Sequence, residues 1–264
     1  MKRIPLSQQN GFLEVTPNYE ELSLRATQLF IESAKSTLTT EPVFSAILSG
    51  SHTPKRLYEL LGQSPFREQV PWEKVHFFWG DERDYQPDHP ASNFRVAQEA
   101  LLSHIQIPTE NIHRIKPDLG SATAAAEEYE QEIKNFFSNY FPGKEFHFDL
   151  AFMGLGDDGH TASLFPENSF PSNTNQLVFA PWVSHLDSFR ISLTPQAFAY
   201  CKRIIFLVSG DTKVTILKNV LQGTEKVRPY PAELVRPKNG EILWLVDQSA
   251  ASQLALDGKT AHAA

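Results

Sequence analysis

Short, mostly apolar runs alternate along this chain with stretches whose apolar residues recur at helical spacing, and that rhythm constrains the fold more than any other feature. Leu22, Ala26, Leu29 and Phe30 share one helical face, after which VFSAIL (43–48) and VHFFW (75–79) read as strands buried on both sides. Leu57, Leu60 and Leu61 mark a helix after the first of these strands. Phe94, Ala97 and Leu101 mark another after the second, and Tyr129, Ile133, Phe136 and Tyr140 a longer third. Strands follow at FDLAFM (148–153), FRISL (189–193), RIIFLV (203–208) and EILWLV (241–246), with Val214, Leu217 and Leu221 on a helix between the last two. Parallel strands need crossover connections, usually helices, so the alternation predicts an α/β fold: a mostly parallel sheet flanked by helices, Rossmann-like. No internal repeat or long linker interrupts it. The chain is therefore expected to form a single domain over residues 1–258, with 259–264 as a frayed tail and the Pro-, Ser- and Asn-rich stretch 166–174 as an exposed loop.

Composition narrows the function. With 264 residues and 41% hydrophobic content there is enough chain for a sizeable core. Acidic residues number 31 against 24 basic, a net charge of −7, which argues against nucleic acid or an anionic membrane surface as partner. An anionic ligand would need local positive groups. Cys201 is the single cysteine, so neither a disulfide framework nor a cysteine-built metal site is available. That usage fits a reducing compartment, with the cytoplasm as the default expectation. The N-terminal stretch has no apolar run behind its basic residues, and no stretch of eighteen apolar residues occurs, so neither an export signal nor a membrane span is expected.

In open α/β sheets ligands gather at the carboxyl ends of the strands, which directs attention to the residues just after each predicted strand. The first such segment is Ser49-Gly50-Ser51-His52-Thr53-Pro54, with Pro54 suited to a first helical position and Thr53 to its cap. Unpaired N–H groups at a helix N-terminus could hold phosphate there; a plain turn is the alternative. The second is Gly80-Asp81-Glu82-Arg83-Asp84, with Ser92-Asn93 further on. Arg83 could grip a phosphate or carboxylate while Asp81 or Glu82 orients it or bonds a sugar hydroxyl. The cluster reads equally as solvated charges, and Ser92 as a helix cap. The third segment runs from Met153 through Gly154-Leu155-Gly156-Asp157-Asp158-Gly159-His160-Thr161-Ala162-Ser163. Its glycines, Gly156 among them, let backbone approach a ligand, and His160 has the side chain best matched to taking a proton from water at neutral pH. Asp158 or Asp157 could fix the ring and stabilise its cation. A metal site is the rival reading, and no second histidine stands nearby to support it. A fainter fourth segment, Ser209-Gly210-Asp211-Thr212-Lys213, opens another helix, and Lys213 could supply a point charge. Arg190 could join the same anion site.

Together these segments resemble the 6-phosphogluconolactonase family, which carries a Ser-Gly-Gly-x-Thr-Pro turn, an Asp-Glu-Arg segment with a later Ser-Asn, and a Gly-x-Gly-x-Asp-Gly-His-Thr-Ala-Ser-x-Phe-Pro run in this order. Agreement extends through RISLT (190–194), SGDTK (209–213) and PAELVRP (231–237). The resemblance implies the fold shared with glucosamine-6-phosphate deaminases and ribose-5-phosphate isomerases. It also implies hydrolysis of 6-phosphogluconolactone in the pentose phosphate pathway, without a cofactor or metal, by a protein whose only partner is a phosphorylated sugar lactone. The family's base falls on His160 with Asp158 beside it, its phosphate-contacting arginine on Arg83, and its first turn on Ser49, Gly50 and Thr53. Ser51 departs from the family's second glycine. The related amino-sugar deaminases continue Asp-Gly-His with Ile-Ala-Phe-Asn-Glu-Pro, whereas here Thr161-Ala162-Ser163-Leu164-Phe165-Pro166 follows, which sides with the lactonase. A non-catalytic sugar-phosphate sensor is the reading from another class. The sequence leaves the oligomeric state open, with a monomer as the working expectation.

Overall fold

The computed structural model describes residues 3–6, 11–50, 52–171, 175–223, 227–256 and, for backbone alone, 259–260. Ser51 and residues 261–264 lie outside the described residues, as do 172–174 of the expected loop. In chain order the elements begin β1 (Ile4–Leu6), β2 (Gly11–Thr16), α1 (Tyr19–Thr37), β3 (Phe44–Leu48), α2 (His52–Leu61), β4 (Val75–Trp79), β5 (Asp81–Arg83), α3 (Asn93–Ala100) and β6 (Ile112–His113). There follow α4 (Ala122–Tyr140), β7 (Leu150–Met153), β8 (Val178–Phe179), β9 (Trp182–Val183), β10 (Ser188–Leu193), α5 (Pro195–Ala199) and β11 (Arg203–Val208). The chain closes with α6 (Val214–Gln222), α7 (Pro231–Leu234), β12 (Glu241–Asp247), β13 (Ala255–Leu256) and β14 (Lys259–Thr260), the last two paired antiparallel.

The main sheet has eight strands in the order β1-β2-β12-β11-β7-β3-β4-β6, parallel throughout except for the antiparallel β1–β2 pair. This is the mostly parallel, helix-flanked α/β sheet that the apolar rhythm predicts. Its central strands β3, β4 and β7 are buried at every position, as strands covered on both faces by helices must be. Phe30 of α1 packs against Phe44, Phe77 and Phe152, one from each of those strands, with ring centroids 5.4, 6.0 and 6.5 Å away. From β3 the chain winds outward through β4 to β6. It then returns to lay β7 on the other side of β3 and winds the opposite way through β11 to β12. The direction reverses between β3 and β7, and the crevice that such a reversal opens lies at their carboxyl ends.

Three features differ from the sequence expectation. The FRISL strand is real but does not join the parallel sheet: β10 pairs antiparallel with β5, β8 and β9 in a second, small sheet. Its outer half carries exposed and half-buried residues, so it can afford one open face. Strand β2, unmarked by any apolar run, sits beside β12 because its buried Glu14 is neutralised by Arg3 at 2.8 Å and Arg25 at 3.0 Å. Burial would raise that carboxyl, but the two guanidinium groups overcome it and hold it below the ordinary range. Finally, α2 begins at His52, so Thr53 and Pro54 lie inside its first turn, where a missing N–H costs nothing, rather than at cap and first position. Among the described residues no helix is long and apolar enough to cross a membrane.

One buried polar cluster at the sheet edge makes stability depend on pH. His76 of β4 is 2% exposed, and its Nδ1 lies 3.0 Å from His113 Nε2, while His113 Nδ1 lies 2.7 Å from Glu132. Burial, with the second imidazole adding to it, lowers His76 from 6.5 to about 4. The folded value lies below the unfolded one, so the stability contributed by neutral His76 is full above about pH 6.5 and is lost as pH falls towards about 4. One such group changes stability by about 1.4 kcal/mol per pH unit across that window. Urea melts of His76→Gln should show an acid slope shallower by about one proton than the parent protein; an unchanged slope would mean that His76 does not carry this dependence.

Candidate functional site

Four chain segments meet at the carboxyl ends of the strands, two of them on either side of the reversal point. After β3, the turn at Ser49 is fastened from below. The buried Tyr58 hydroxyl donates to the Ser49 carbonyl at 2.7 Å and accepts from the Ser49 amide at 3.0 Å. Both backbone groups of Ser49 are thereby used. Gly50 is needed for contact: a Cβ there would lie 1.8 Å from Asn93 Oδ1, so only glycine lets the turn press against the first residue of α3. The Tyr19 hydroxyl lies 3.2 and 3.1 Å from the carbonyls of His52 and Thr53, and these residues with Lys55, Arg56, Glu59 and Ser209 line a cleft of about 380 Å³.

After β4, the Asp-Glu-Arg segment forms β5 and its three side chains take separate tasks. Glu82 is 2% exposed and turned inward; it accepts from the amides of Arg83, Asn93 and Phe94 and from the Ser92 hydroxyl, at 2.7–3.0 Å. Burial raises its pKa, and the three amides pull in the opposite direction. It is the built-in anion of the α3 N-terminus, where unpaired amides and the helix dipole favour negative charge. Ser92 is the N-cap, its side chain accepting from the Arg95 amide. Asp81, also buried, accepts from Ser163 Oγ at 2.6 Å and from Asn93 Nδ2 at 3.2 Å. It ties the histidine loop to α3.

Arg83 stands directly opposite Arg190 in the antiparallel β5–β10 pair, so both guanidinium groups share one face of the small sheet. Arg83 donates to the Ala91 carbonyl at 2.5 Å and Arg190 to the Phe189 carbonyl at 2.9 Å. Among the described residues neither makes an ion pair. Burial lowers the Arg190 pKa and the neighbouring Arg83 charge lowers it further. Two like charges placed opposite one another, with no ion pair of their own, are suited to a doubly charged anion.

After β7 comes the loop that holds His160. Its Nδ1 lies 2.6 Å from Asp158 Oδ1, which also accepts from the His160 amide at 3.0 Å. Burial acts to raise the Asp158 carboxyl, but the hydrogen bonds and charge of His160 prevail and bring it down to about 2. Asp158 is therefore ionised at neutral pH and accepts from Nδ1–H, so the neutral form of the His160 ring carries its lone pair on Nε2. Gly156 backs the ring, since a Cβ there would fall 2.1 Å from His160 Nδ1. Gly159 has φ +83° and sits against Tyr230, so it needs glycine on both counts. The loop is closed by Thr161 Oγ1 donating to the Gly154 carbonyl at 2.7 Å, and Phe165 packs against the histidine ring at a tilt of 37° with centroids 4.4 Å apart. Ala162 adopts φ 47°, a left-handed conformation that costs a non-glycine residue roughly 1 kcal/mol or more. The Ser163 hydrogen bonds to Asp81 and, at 3.3 Å, to Ser192 Oγ hold it there.

After β11, Lys213 pairs with Asp157 at 2.6 Å. The two consecutive aspartates thus divide: Asp158 orients His160 and Asp157 faces the lysine. Asp81 and Asn93 spend most of their polar groups on each other and on the loops, and Ser51 lies outside the described residues. Sequence reasoning missed Tyr58 and Ser192, whose roles depend on partners distant in the chain, and Glu82, read from sequence as a partner of Arg83 or of a sugar hydroxyl, is instead taken up by the start of α3. Among the described residues no three His, Cys, Asp or Glu side chains converge as metal ligands.

A sequence profile of the family described as glucosamine-6-phosphate isomerases/6-phosphogluconolactonase matches residues 17–244. The chain is 35% identical over 245 residues to the 6-phosphogluconolactonase of Nostoc sp., covering 92% of this chain and 98% of that one. It is 40% identical over 205 residues to the Haemophilus influenzae 6-phosphogluconolactonase, covering 77% and 84%. The solved 6-phosphogluconolactonase of Thermotoga maritima superposes with a TM-score of 0.75 at 30% identity, covering 89% and 98%. The chain belongs to the glucosamine-6-phosphate isomerase/6-phosphogluconolactonase family.

The arginine pair makes a direct prediction. Arg83→Ala and Arg190→Ala should each weaken binding of inorganic phosphate, followed by calorimetry, by roughly ten- to a hundredfold, the worth of hydrogen bonds to a charged group. Unchanged affinity in both variants would remove the pair from the anion site.

Proposed function

We propose that this chain hydrolyses 6-phosphogluconolactone to 6-phosphogluconate, as a step of the pentose phosphate pathway in the cytoplasm, with His160 as the general base. The observation that carries this reading is the His160–Asp158 pair at 2.6 Å, in a glycine-rich loop at the reversal point of the sheet. The phosphate is held by Arg83 and Arg190, with the 49–53 turn and Lys213 on the opposite shoulder, which brings the lactone carbonyl to Nε2. Nε2 takes a proton from water as its oxygen attacks the carbonyl carbon. Asp158 stabilises the imidazolium that results. The tetrahedral intermediate collapses by breaking the bond to the ring oxygen, which takes the proton from Nε2, and the new carboxyl group releases its own proton to solvent. No cofactor enters. In this reading Asp81 and Asn93 set the distance between the arginine pair and the histidine.

The test follows lactone generated in place by glucose-6-phosphate dehydrogenase, with spontaneous hydrolysis subtracted. His160→Asn should lose about 10²–10⁴-fold in kcat while its thermal midpoint stays near the parent's. Asp158→Asn should lose about tenfold or more in kcat with little change in KM, since the ring keeps its place but its cation loses a counter-charge. Near-normal turnover in His160→Asn would sink the assignment of the base, and no rate above background in the parent would sink the activity.

A further inference from the structure

The loop that presents His160 carries a second carboxylate with a different partner. Asp157 Oδ1 lies 2.6 Å from Lys213 Nζ across the gap between the β7 and β11 loops. Exposure divides the pair unequally: the Asp157 side chain is 75% exposed and that of Lys213 only 22%. The lysine is the fixed partner and the aspartate the solvated one. A carboxylate so open to water gains little from its ion pair and can leave it at small cost. A phosphate monoester approaching Lys213 would meet an ammonium whose charge is already compensated and a carboxylate that repels it.

We propose that Asp157 sets the affinity of the substrate's anion subsite: in the free protein it holds Lys213 as an internal stand-in for the phosphate, and a phosphate monoester displaces it on binding. The inference rests on the reading of Lys213 as part of the anion cradle. A dianion competes better than a singly charged carboxylate for the same ammonium, so the pair screens the site against unphosphorylated sugar acids. Asp157 does not touch the reacting atoms; it acts through Lys213, and it is separated in function from Asp158 one residue away.

The experiment is a double-mutant cycle of Asp157→Asn, Lys213→Gln and the double variant, reading the inhibition constant of inorganic phosphate against lactone turnover at low ionic strength, with KM and kcat determined separately. Asp157→Asn should tighten phosphate inhibition and lower KM by roughly two- to fivefold, the range open to an exposed ion pair, and the gain should vanish in the Lys213→Gln background. Unchanged or weaker phosphate inhibition in Asp157→Asn would overturn the proposal, because the aspartate would then merely steady the lysine. The same gain without the lysine would also overturn it, by showing a field effect in place of competition. If Lys213→Gln alone leaves both constants unchanged, the lysine is no part of the cradle and the proposal falls with that assignment, whereas His160→Asn still tests the hydrolysis on its own.

Discussion

The parallel pairing of β3 with β7, in which Ala46 and Ile47 lie opposite Leu150 and Ala151, decides where chemistry can occur in this molecule. These strands are consecutive in space but far apart in the chain, because the winding direction reverses between them. Neither can have a helix packed over its carboxyl end, so the turn at Ser49 and the loop to His160 face one another across an open crevice. The apolar core serves this pairing: Phe30 bridges β3, β4 and β7 from one face, and every residue of those strands is buried.

Above that frame the site is preorganised by hydrogen-bonded carboxylates, of which Asp81 and Glu82 are buried and Asp158 is exposed. Glu82 fixes the start of α3, Asp81 joins α3 to the histidine loop, and Asp158 fixes the ring. A buried charge persists only when donors surround it, so Asp81 and Glu82 are placed by the fold as firmly as the core side chains are. Arg83 and Arg190 stand opposite each other on a small antiparallel sheet, and neither makes an ion pair among the described residues.

Much of this was legible before any coordinates. Five mostly apolar runs marked five of the parallel strands, and the position of His160 after one of them marked the loop that matters. Pattern failed where polar groups are buried. Glu14 hides β2 because its two arginine partners lie at positions that no local window connects, and Asp81-Glu82-Arg83 reads as a charged turn although it forms a strand. FRISL was found as a strand but not as part of a separate sheet, since strand direction depends on the connection before it and not on its own residues. In the site, His160, Asp158 and Arg83 stood out by residue type. Tyr58 and Ser192 did not, because a tyrosine under a turn and a serine in a strand carry no signal until the turn and the loop come to rest on them.

A structure of the protein with bound 6-phosphogluconate tests the histidine tautomer and the arginine pair at once. The phosphate is expected between Arg83 and Arg190, and the carboxylate of the product within about 3 Å of His160 Nε2, with the Asp158 contact to Nδ1 intact. A product bound with its carboxylate on the arginines and its phosphate towards His160, or one that leaves Nε2 untouched, would contradict this placement.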